Sequence, residues 1–442
     1  MHNLDKYLQE SDQSELHPAE IANLLRELGE SDFQKSIYKI PNEIIGDVAL
    51  ELPDRYFGDV VELLNVEELS TAVKELESDD QTDFMQELEE VDQNTADAVF
   101  NALDADDQAE ILQLKQYGEN EAGAYMQMEV YAANINENVH DVIRRFTELR
   151  EQNQLENVQY LFIVDDEGYL RYGVGLDSLL IFDFKKTIRE NIEMRKENFV
   201  PVTAYDTEDI RDVVKRFEEY DLGVMPVVDS EGKLIGRITS DDIYDIINEH
   251  ATEQMYRMAG VDDDAEEDEG IFNAGKKRAI WLSLNLVTAI IASLVIGLFE
   301  ETLQNIVALA ILMPIVASMG GNAGTQSLTV VVRQMALGEI AQKDAMRTIR
   351  KEVMISMGNG MLFAVIMGTV ASVWFDKGML GVVIALSMVI NLLAAGFFGA
   401  TVPLILKKFD IDPAIGSTVI LTTVTDVVGF FSFLGLATAI LL

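Results

Sequence analysis

Residues 414–442 read AIGSTVILTTVTDVVGFFSFLGLATAILL, and the reading of this stretch decides the fold. At about 1.5 Å per residue it is long enough to cross a hydrocarbon core of about 30 Å as one helix, and its only charge is Asp426, near the centre. An ionised carboxylate at that depth costs about 2.5–3.5 kcal/mol on insertion scales, so a lone intramembrane acid marks an ion pathway by default. Its other possible role is an interhelical hydrogen bond to neighbouring Thr side chains.

Four more apolar stretches precede this one, at 279–299, 306–332, 353–375 and 379–406. The chain therefore ends in a transmembrane domain with five spans, expected at 271–442. Pro314 and a glycine cluster interrupt the second stretch, which predicts a broken span there. Lys276, Lys277 and Arg278 precede the first span, Arg333, Lys343, Arg347, Arg350 and Lys351 lie between the second and third, and Lys407 and Lys408 follow the fourth. The alternate loops hold Glu300, Glu301, Asp376 and one base, Lys377. Positive charge is retained on the cytoplasmic side, so the N-terminus is expected inside and the C-terminus outside a multi-pass plasma-membrane protein. The polar, acidic first twenty residues do not read as a signal peptide.

Residues 271–442 carry 11 Lys and Arg against 9 Asp and Glu, a net of +2, so the −43 of the whole chain places about −45 on residues 1–270. Such a field repels nucleic acid and attracts cations, so no nucleic-acid partner is expected. A surface adapted to high salt would carry the same excess. With no cysteine there is no disulfide, thiolate metal site or cysteine nucleophile. The four histidines are scattered, and no P-loop, zinc spacing or nucleophile–base pairing supports an enzyme or an ATP-driven pump.

Residues 1–123 repeat short segments with apolar positions at i, i+3, i+4 and i+7, separated by Ser-Asp, Asp-Asp and Pro-Asp turns. Helix–turn units that cannot bury a face alone predict an α-solenoid-like helical domain. From about residue 124 a strand, helix, strand, Asp-x-x-Gly turn and strand occur twice, at 124–192 and 193–247. The turns are Asp165-Asp-Glu-Gly168 and Asp229-Ser-Glu-Gly232. A connecting helix and an acidic linker, 248–270, are expected to follow.

The doubled unit resembles a tandem pair of CBS domains, with the segment from Val227 to Gly236 its most specific match. That resemblance implies an adenine-nucleotide site, ATP or a relative, in the second copy, where Gly236, Thr239 and Asp242 fit the Gly-x-x-Thr-x-x-Asp pattern. The first copy, Gly175-Leu-Asp177-Ser178, lacks the Thr and the final Asp. Thr239 and Asp242 would also serve simply to cap the following helix.

The membrane half resembles the MgtE family of magnesium channels. The match rests on Met313-Pro-Ile-Val-Ala-Ser-Met-Gly-Gly-Asn-Ala-Gly-Thr-Gln326, on Asn391, Gly399 and Pro403, on Asp412-Pro-Ala414 and on Thr425-Asp426-Val-Val-Gly429. The order of parts agrees along nearly the whole chain. The resemblance implies a homodimer that carries Mg²⁺ down its electrochemical gradient into the cytosol and is closed by cytoplasmic Mg²⁺ bridging acids of the soluble domains. Mg²⁺ dehydrates reluctantly and prefers hard oxygens, so Asp426 suits a hydrated ion. Thr422 and Gly429 share its helix face and would give an oxygen and room, while Gly320, Gly321 and Gly324 around Asn322 would turn carbonyls toward a cavity. Asn391 reads as a packing or helix-bonding residue. The candidate regulatory ligands are Asp241, Asp242, Asp245, Glu249 and Glu253, with Asp80 and Asp83 on the helical domain. His250 and Gln254 stand where relatives commonly carry acids, which should weaken Mg²⁺ bridging here. An ion-coupled carrier or exporter of a divalent metal such as Mg²⁺, Co²⁺ or Mn²⁺ is the alternative function, because Asp426 would equally carry a proton or Na⁺.

Overall fold

The computed structural model describes residues 4, 7–8, 16–151, 158–193, 196–261, 271–336, 340, 345–409, 411–414 and 416–442. It divides into two compact units, Met1–Asn248 and Glu249–Leu442.

The first unit opens on short helices: α1 (Pro18–Arg26), α2 (Glu30–Ile37), α3 (Ile45–Leu50), α4 (Asp54–Leu63), α5 (Val66–Lys74), α6 (Ser78–Val91), α7 (Gln93–Phe100) and α8 (Ala105–Leu114). Helices this short are marginal alone, so their stability comes from one shared core. Leu25, Phe33, Ile37, Phe57, Leu69, Phe84, Leu88 and Val99 are buried in it, and Phe57 and Phe84 meet edge to face with ring centroids 4.8 Å apart. Asn65 starts α5 with a capping box, accepting from the Glu67 and Glu68 amides while the Glu68 carboxylate accepts from the Asn65 amide. The expected solenoid-like helical domain is present.

The repeated α/β unit folds as read. In the first copy β1 (Ala132–Asn134) and α9 (Val139–Glu151) lead to β2 (Tyr160–Val164), β3 (Leu170–Gly175), α10 (Leu176–Leu179) and α11 (Ile188–Ile192). In the second, β4 (Ala204–Tyr205) and α12 (Ile210–Tyr220) lead to β5 (Val224–Val228) and β6 (Leu234–Thr239). Each first strand pairs parallel with the middle strand, which pairs antiparallel with the third. The Asp-x-x-Gly turns need glycine, since Gly168 and Gly232 take φ of +90° and +93°. Asp165 and Asp229 accept backbone amides across their turns. The two copies join reciprocally there, the Leu170 amide donating to the Gly232 carbonyl and the Leu234 amide to that of Gly168.

A single helix, α13 (Ser240–Ala259), leaves the second copy. A boundary near residue 248 was expected from the motif order, but Asn248-Glu-His250-Ala-Thr-Glu-Gln254 contains no helix breaker, and the CBS helix and connecting helix are one element. The acidic linker 262–269 lies outside the described residues.

The second unit holds α14 (Ile271–Gly297), the short α15 (Glu300–Asn305), α16 (Ala308–Ala336), α17 (Ala345–Phe375), α18 (Gly378–Lys408) and α19 (Ser417–Leu441). Five of these are long and apolar enough to cross a membrane. α18 lies at the centre, packed against α16, α17 and α19. α14 exposes Ile280, Leu282, Leu286 and Val287 along nearly its whole length. The expected break in the second span is absent. Pro314 falls within the first two turns of α16 and the helix continues through the glycines.

Candidate ion pathway and acid cluster

Asp426 sits in the third turn of α19, half-buried. The residues expected beside it divide between two tasks. Thr422 turns its hydroxyl back to the Thr418 and Val419 carbonyls, at 2.9 and 3.2 Å. Gly429 is buried, and a Cβ there would lie 2.8 Å from Asn391 Nδ2. The room it provides is therefore filled by an amide of α18, where an aqueous passage was expected.

The glycines of α16 behave similarly. A Cβ on Gly320 would fall 2.3 Å from Asn391 Nδ2, and one on Gly324 would fall 3.0 Å from Leu421. Both permit close helix approach, and with α16 helical throughout they do not present turned-out carbonyls. Asn391 is fully buried between Gly320 and Gly429, donates to the Val316 carbonyl at 2.8 Å, and its Oδ1 finds no partner among the described residues. It is the polar keystone of α16, α18 and α19. The other side of α16 differs: Gly321 is open, Ser318 and Asn322 are exposed, and Asn322 donates to Ser318 Oγ at 3.3 Å. A polar strip at membrane depth needs water or protein over it, since lipid offers no hydrogen bonds.

A second acid lies inside a span. Glu352, at the start of the third turn of α17, is 5% exposed, and Ser327 Oγ of α16 donates to it at 2.6 Å. Sequence reading did not single it out. Its signal was the serine on the neighbouring span, which only the fold brings near.

In the first unit, the N-termini of α6 and α13 bring acids together. Ser78 anchors α6: its amide and hydroxyl donate to Glu129 at 3.0 and 2.8 Å, and its Oγ accepts from the Met128 amide. Buried Arg237, on β6, reaches Gln127 Oε1 at 3.0 Å and pairs with Glu77 at 3.5 Å. These bonds hold Asp79 and Asp80 within the field of Asp242. Burial, then repulsion from Asp242, pushes the Asp80 carboxyl up to about 7, with Asp83, Asp47 and Glu77 adding to it. The same two causes, with Asp80, raise Asp79 well above the carboxylate range. Asp242 is pushed up to about 6 by burial and by Asp241 and Asp245, against hydrogen bonds from Thr239 that pull it down.

Of the acids expected here, Asp80 and Asp242 come together, and Asp79, absent from the expectation, joins them. Its signal was visible in the acidic run Glu77-Ser-Asp79-Asp80. Asp83 is exposed one turn further along α6, and Asp241 and Asp245 are exposed beside Asp242. Glu249 and Glu253 belong to the second unit. Among the described residues no three His, Asp or Glu converge as a metal cage.

At the second CBS copy, Thr239 donates to Asp242 through both Oγ1, at 2.7 Å, and its amide, at 3.2 Å. This is the helix-capping arrangement. Gly236 packs against Met126 and Gln127, where a Cβ would meet the Gln127 carbonyl at 2.8 Å.

Comparison with known proteins agrees in the order of parts. The divalent cation transporter domain of MgtE matches residues 313–436, the MgtE intracellular N domain 16–120, and a CBS domain 190–249. Magnesium transporter MgtE of Thermus thermophilus is 30% identical over 342 residues, 77% of this chain and 74% of that one. Its namesake from Bacillus subtilis is 31% identical over 284 residues, 64% and 62% of the two chains. That of Enterococcus faecalis is 28% identical over 333 residues, 75% and 72%. The crystal structure of the cytosolic domain of the Mg²⁺ channel MgtE in complex with ATP is 27% identical, with a TM-score of 0.48 over 55% of this chain and 98% of that one.

Proposed function

This chain belongs to the MgtE family of magnesium transporters, and from that premise we propose a gated Mg²⁺ pathway whose conducting and sensing acids are Asp426 and the Asp79, Asp80 and Asp242 cluster. Mg²⁺ is the cargo, moving into the cytosol down its electrochemical gradient. Asp426 attracts the hydrated ion, and the exposed strip of Ser318 and Asn322 lines the same passage. Each protomer supplies one such acid and leaves polar groups of α16 uncovered, which supports a homodimer with a two-fold pore. The soluble unit and the N-terminus face the cytosol of a plasma-membrane protein, with the C-terminus outside, on the strength of the basic loops.

The sensor rests on one arrangement: Asp79, Asp80 and Asp242 are acids drawn out of water, and burial first, then repulsion from neighbouring carboxylates, raises all three above the usual carboxylate range. A divalent ion between them removes that repulsion and ties α6 to α13. Rising cytosolic Mg²⁺ thus closes the pathway. Asp83, Asp241 and Asp245 form the surrounding field. An adenine nucleotide at the second CBS copy would draw on Gly236, Thr239 and Asp242, and isothermal titration with ATP tests it. The chain performs no chemistry of its own on this reading.

Mg²⁺ flux into proteoliposomes tests both halves. Asp426→Asn, nearly isosteric, should lower flux on the order of a hundredfold, since each ~1.4 kcal/mol of lost attraction is a factor of ten. Neutralising Asp79, Asp80 and Asp242 together should leave flux at low Mg²⁺ and relieve inhibition at high Mg²⁺. Flux indifferent to Asp426 would sink the pathway, and unchanged inhibition would sink the sensor. Buried Glu352 favours one rival, an ion-coupled carrier, because a second intramembrane acid gives a coupling proton a place to bind. Mg²⁺ flux that persists without any counter-ion gradient removes that rival.

A further inference from the structure

The last turn of α13 is built onto the turn that opens α19. Gly260, at φ +72°, ends the helix, with its own amide donating to the Arg257 carbonyl and the Val261 amide to that of Tyr256. Here Met258 packs among Leu328, Val332, Ala414 and Leu421, and Thr418 Oγ1 donates to the Met258 carbonyl at 3.0 Å. Arg257 reaches across: its Nη1 donates to Asp412 Oδ2 at 2.6 Å, and its Nη2 pairs with Glu253 of its own helix. The other oxygen of Asp412 accepts the Ala414 amide at 2.8 Å. Asp412 therefore shapes the Asp-Pro-Ala turn and holds the guanidinium at once. His250 Nδ1 lies 3.2 Å from the second oxygen of Glu253. All three charged side chains are roughly a quarter to a third exposed, 27% for Arg257, 32% for Asp412 and 25% for Glu253, so solvent screens the pair only partly.

Glu253, expected as a regulatory metal ligand, is thus engaged by a cation carried on the chain. We propose that Arg257 is a positioning residue for the ion pathway, a fixed cation between Glu253 and Asp412 that clamps the end of α13 onto the start of the helix bearing Asp426. Because the cation is covalently attached, the clamp holds whether cytosolic Mg²⁺ is high or low. Movement of α13 set by the acid cluster at its other end then reaches α19 through this joint. The proposal deepens the gating reading above and rests on it for its effect on flux, while the joint itself stands on the contacts at Arg257, Met258 and Thr418.

Two measurements on the full-length protein separate those layers. The chain has no cysteine, so Met258→Cys/Thr418→Cys places a single pair across the joint. Oxidative cross-linking of that pair should be efficient, fall in Arg257→Gln, and recover when Arg257→Asp is combined with Asp412→Arg. In proteoliposomes, Arg257→Gln and Asp412→Asn should each conduct at low Mg²⁺, need about tenfold more cytosolic Mg²⁺ for half-inhibition, and be corrected by the charge swap. A purely structural contact would lower flux and protein yield without moving the half-inhibiting concentration. Cross-linking indifferent to Arg257→Gln, or a swap no better than either single variant, overturns the clamp. Cross-linking that responds as expected in a wild-type protein that Mg²⁺ fails to inhibit would retain the clamp and overturn the gating reading instead.

Discussion

Asn391 shows how one side chain can fix the packing of the helix that bears Asp426, the proposed conducting acid. Its amide fills the space left by Gly320 and by Gly429, which lies three residues from Asp426, and its Oδ1 has no donor among the described residues. An unpaired buried acceptor costs about 1–3 kcal/mol, and the bond to Val316 together with the close packing offsets it. Gly429→Ala should therefore overpack the junction and destabilise the protein by about 1–3 kcal/mol. Combining it with Asn391→Ser, which vacates that space, should restore much of the loss. Thermal unfolding followed by size-exclusion chromatography reads this directly, and a double variant no more stable than Gly429→Ala would show that Asn391 is not what the methyl meets. Glu352 is the residue-scale counterpart on α17, where Glu352→Gln keeps an acceptor for the Ser327 hydroxyl while removing the carboxyl group.

At the scale of elements, the five spans, the doubled strand–helix–strand unit and the helical N-terminal domain were legible because each has a period or a composition that water and lipid impose directly. The roles of the glycines were not. Gly320 and Gly429 become packing positions only when α18 supplies Asn391 opposite them, and nothing local to either segment encodes that. The continuity of α13 was missed for another reason: motif order suggested two elements, whereas helix propensity through residues 248–254 supports one. The placement of Asp426 within an apolar helix long enough to cross a membrane was legible, since length and composition alone set it. The acid cluster was half legible, with Asp80 and Asp242 visible as acids near helix N-termini and Asp79 joining them through the Ser78–Glu129 anchor. That cluster carries a pH prediction. A carboxyl whose pKa is raised in the folded state favours the protonated form there, so ionisation costs stability. The loss begins as pH rises past the unfolded value of about 4 and is complete above the folded values of about 6 for Asp242 and about 7 for Asp80. Without divalent ions the junction of α6 and α13 should loosen from pH 5 to pH 7.5. At ~100-fold excess over its Kd, Mg²⁺ should restore about 2.7 kcal/mol at pH 7.5 and little at pH 5. Limited proteolysis of the full-length protein with and without Mg²⁺ at the two pH values checks it. Equal protection at both would disconnect the shifted acids from the metal.

At the scale of the whole molecule, charge is divided unevenly: about −45 on residues 1–270 attracts cations to that part of the chain, while residues 271–442 are nearly neutral and confine their acids to a few positions. One protomer offers one Asp426 and leaves the polar strip of α16 uncovered, so the proposed two-fold arrangement makes a quantitative prediction. Wild-type and Asp426→Asn chains carrying different affinity tags can be co-expressed, and the mixed dimers isolated through both tags in turn. If the two carboxylates flank one axial passage, replacing one halves the charge seen by every ion in transit. With each ~1.4 kcal/mol of lost attraction worth tenfold, mixed dimers should then conduct on the order of tenfold below wild type. If each protomer instead encloses its own passage, mixed dimers should retain about half of the wild-type flux, because one complete pathway survives intact. Flux near half would separate the pathway from the dimer axis and leave the strip at Ser318 and Asn322 as a subunit contact, whereas flux well below half ties conduction to the meeting of two chains.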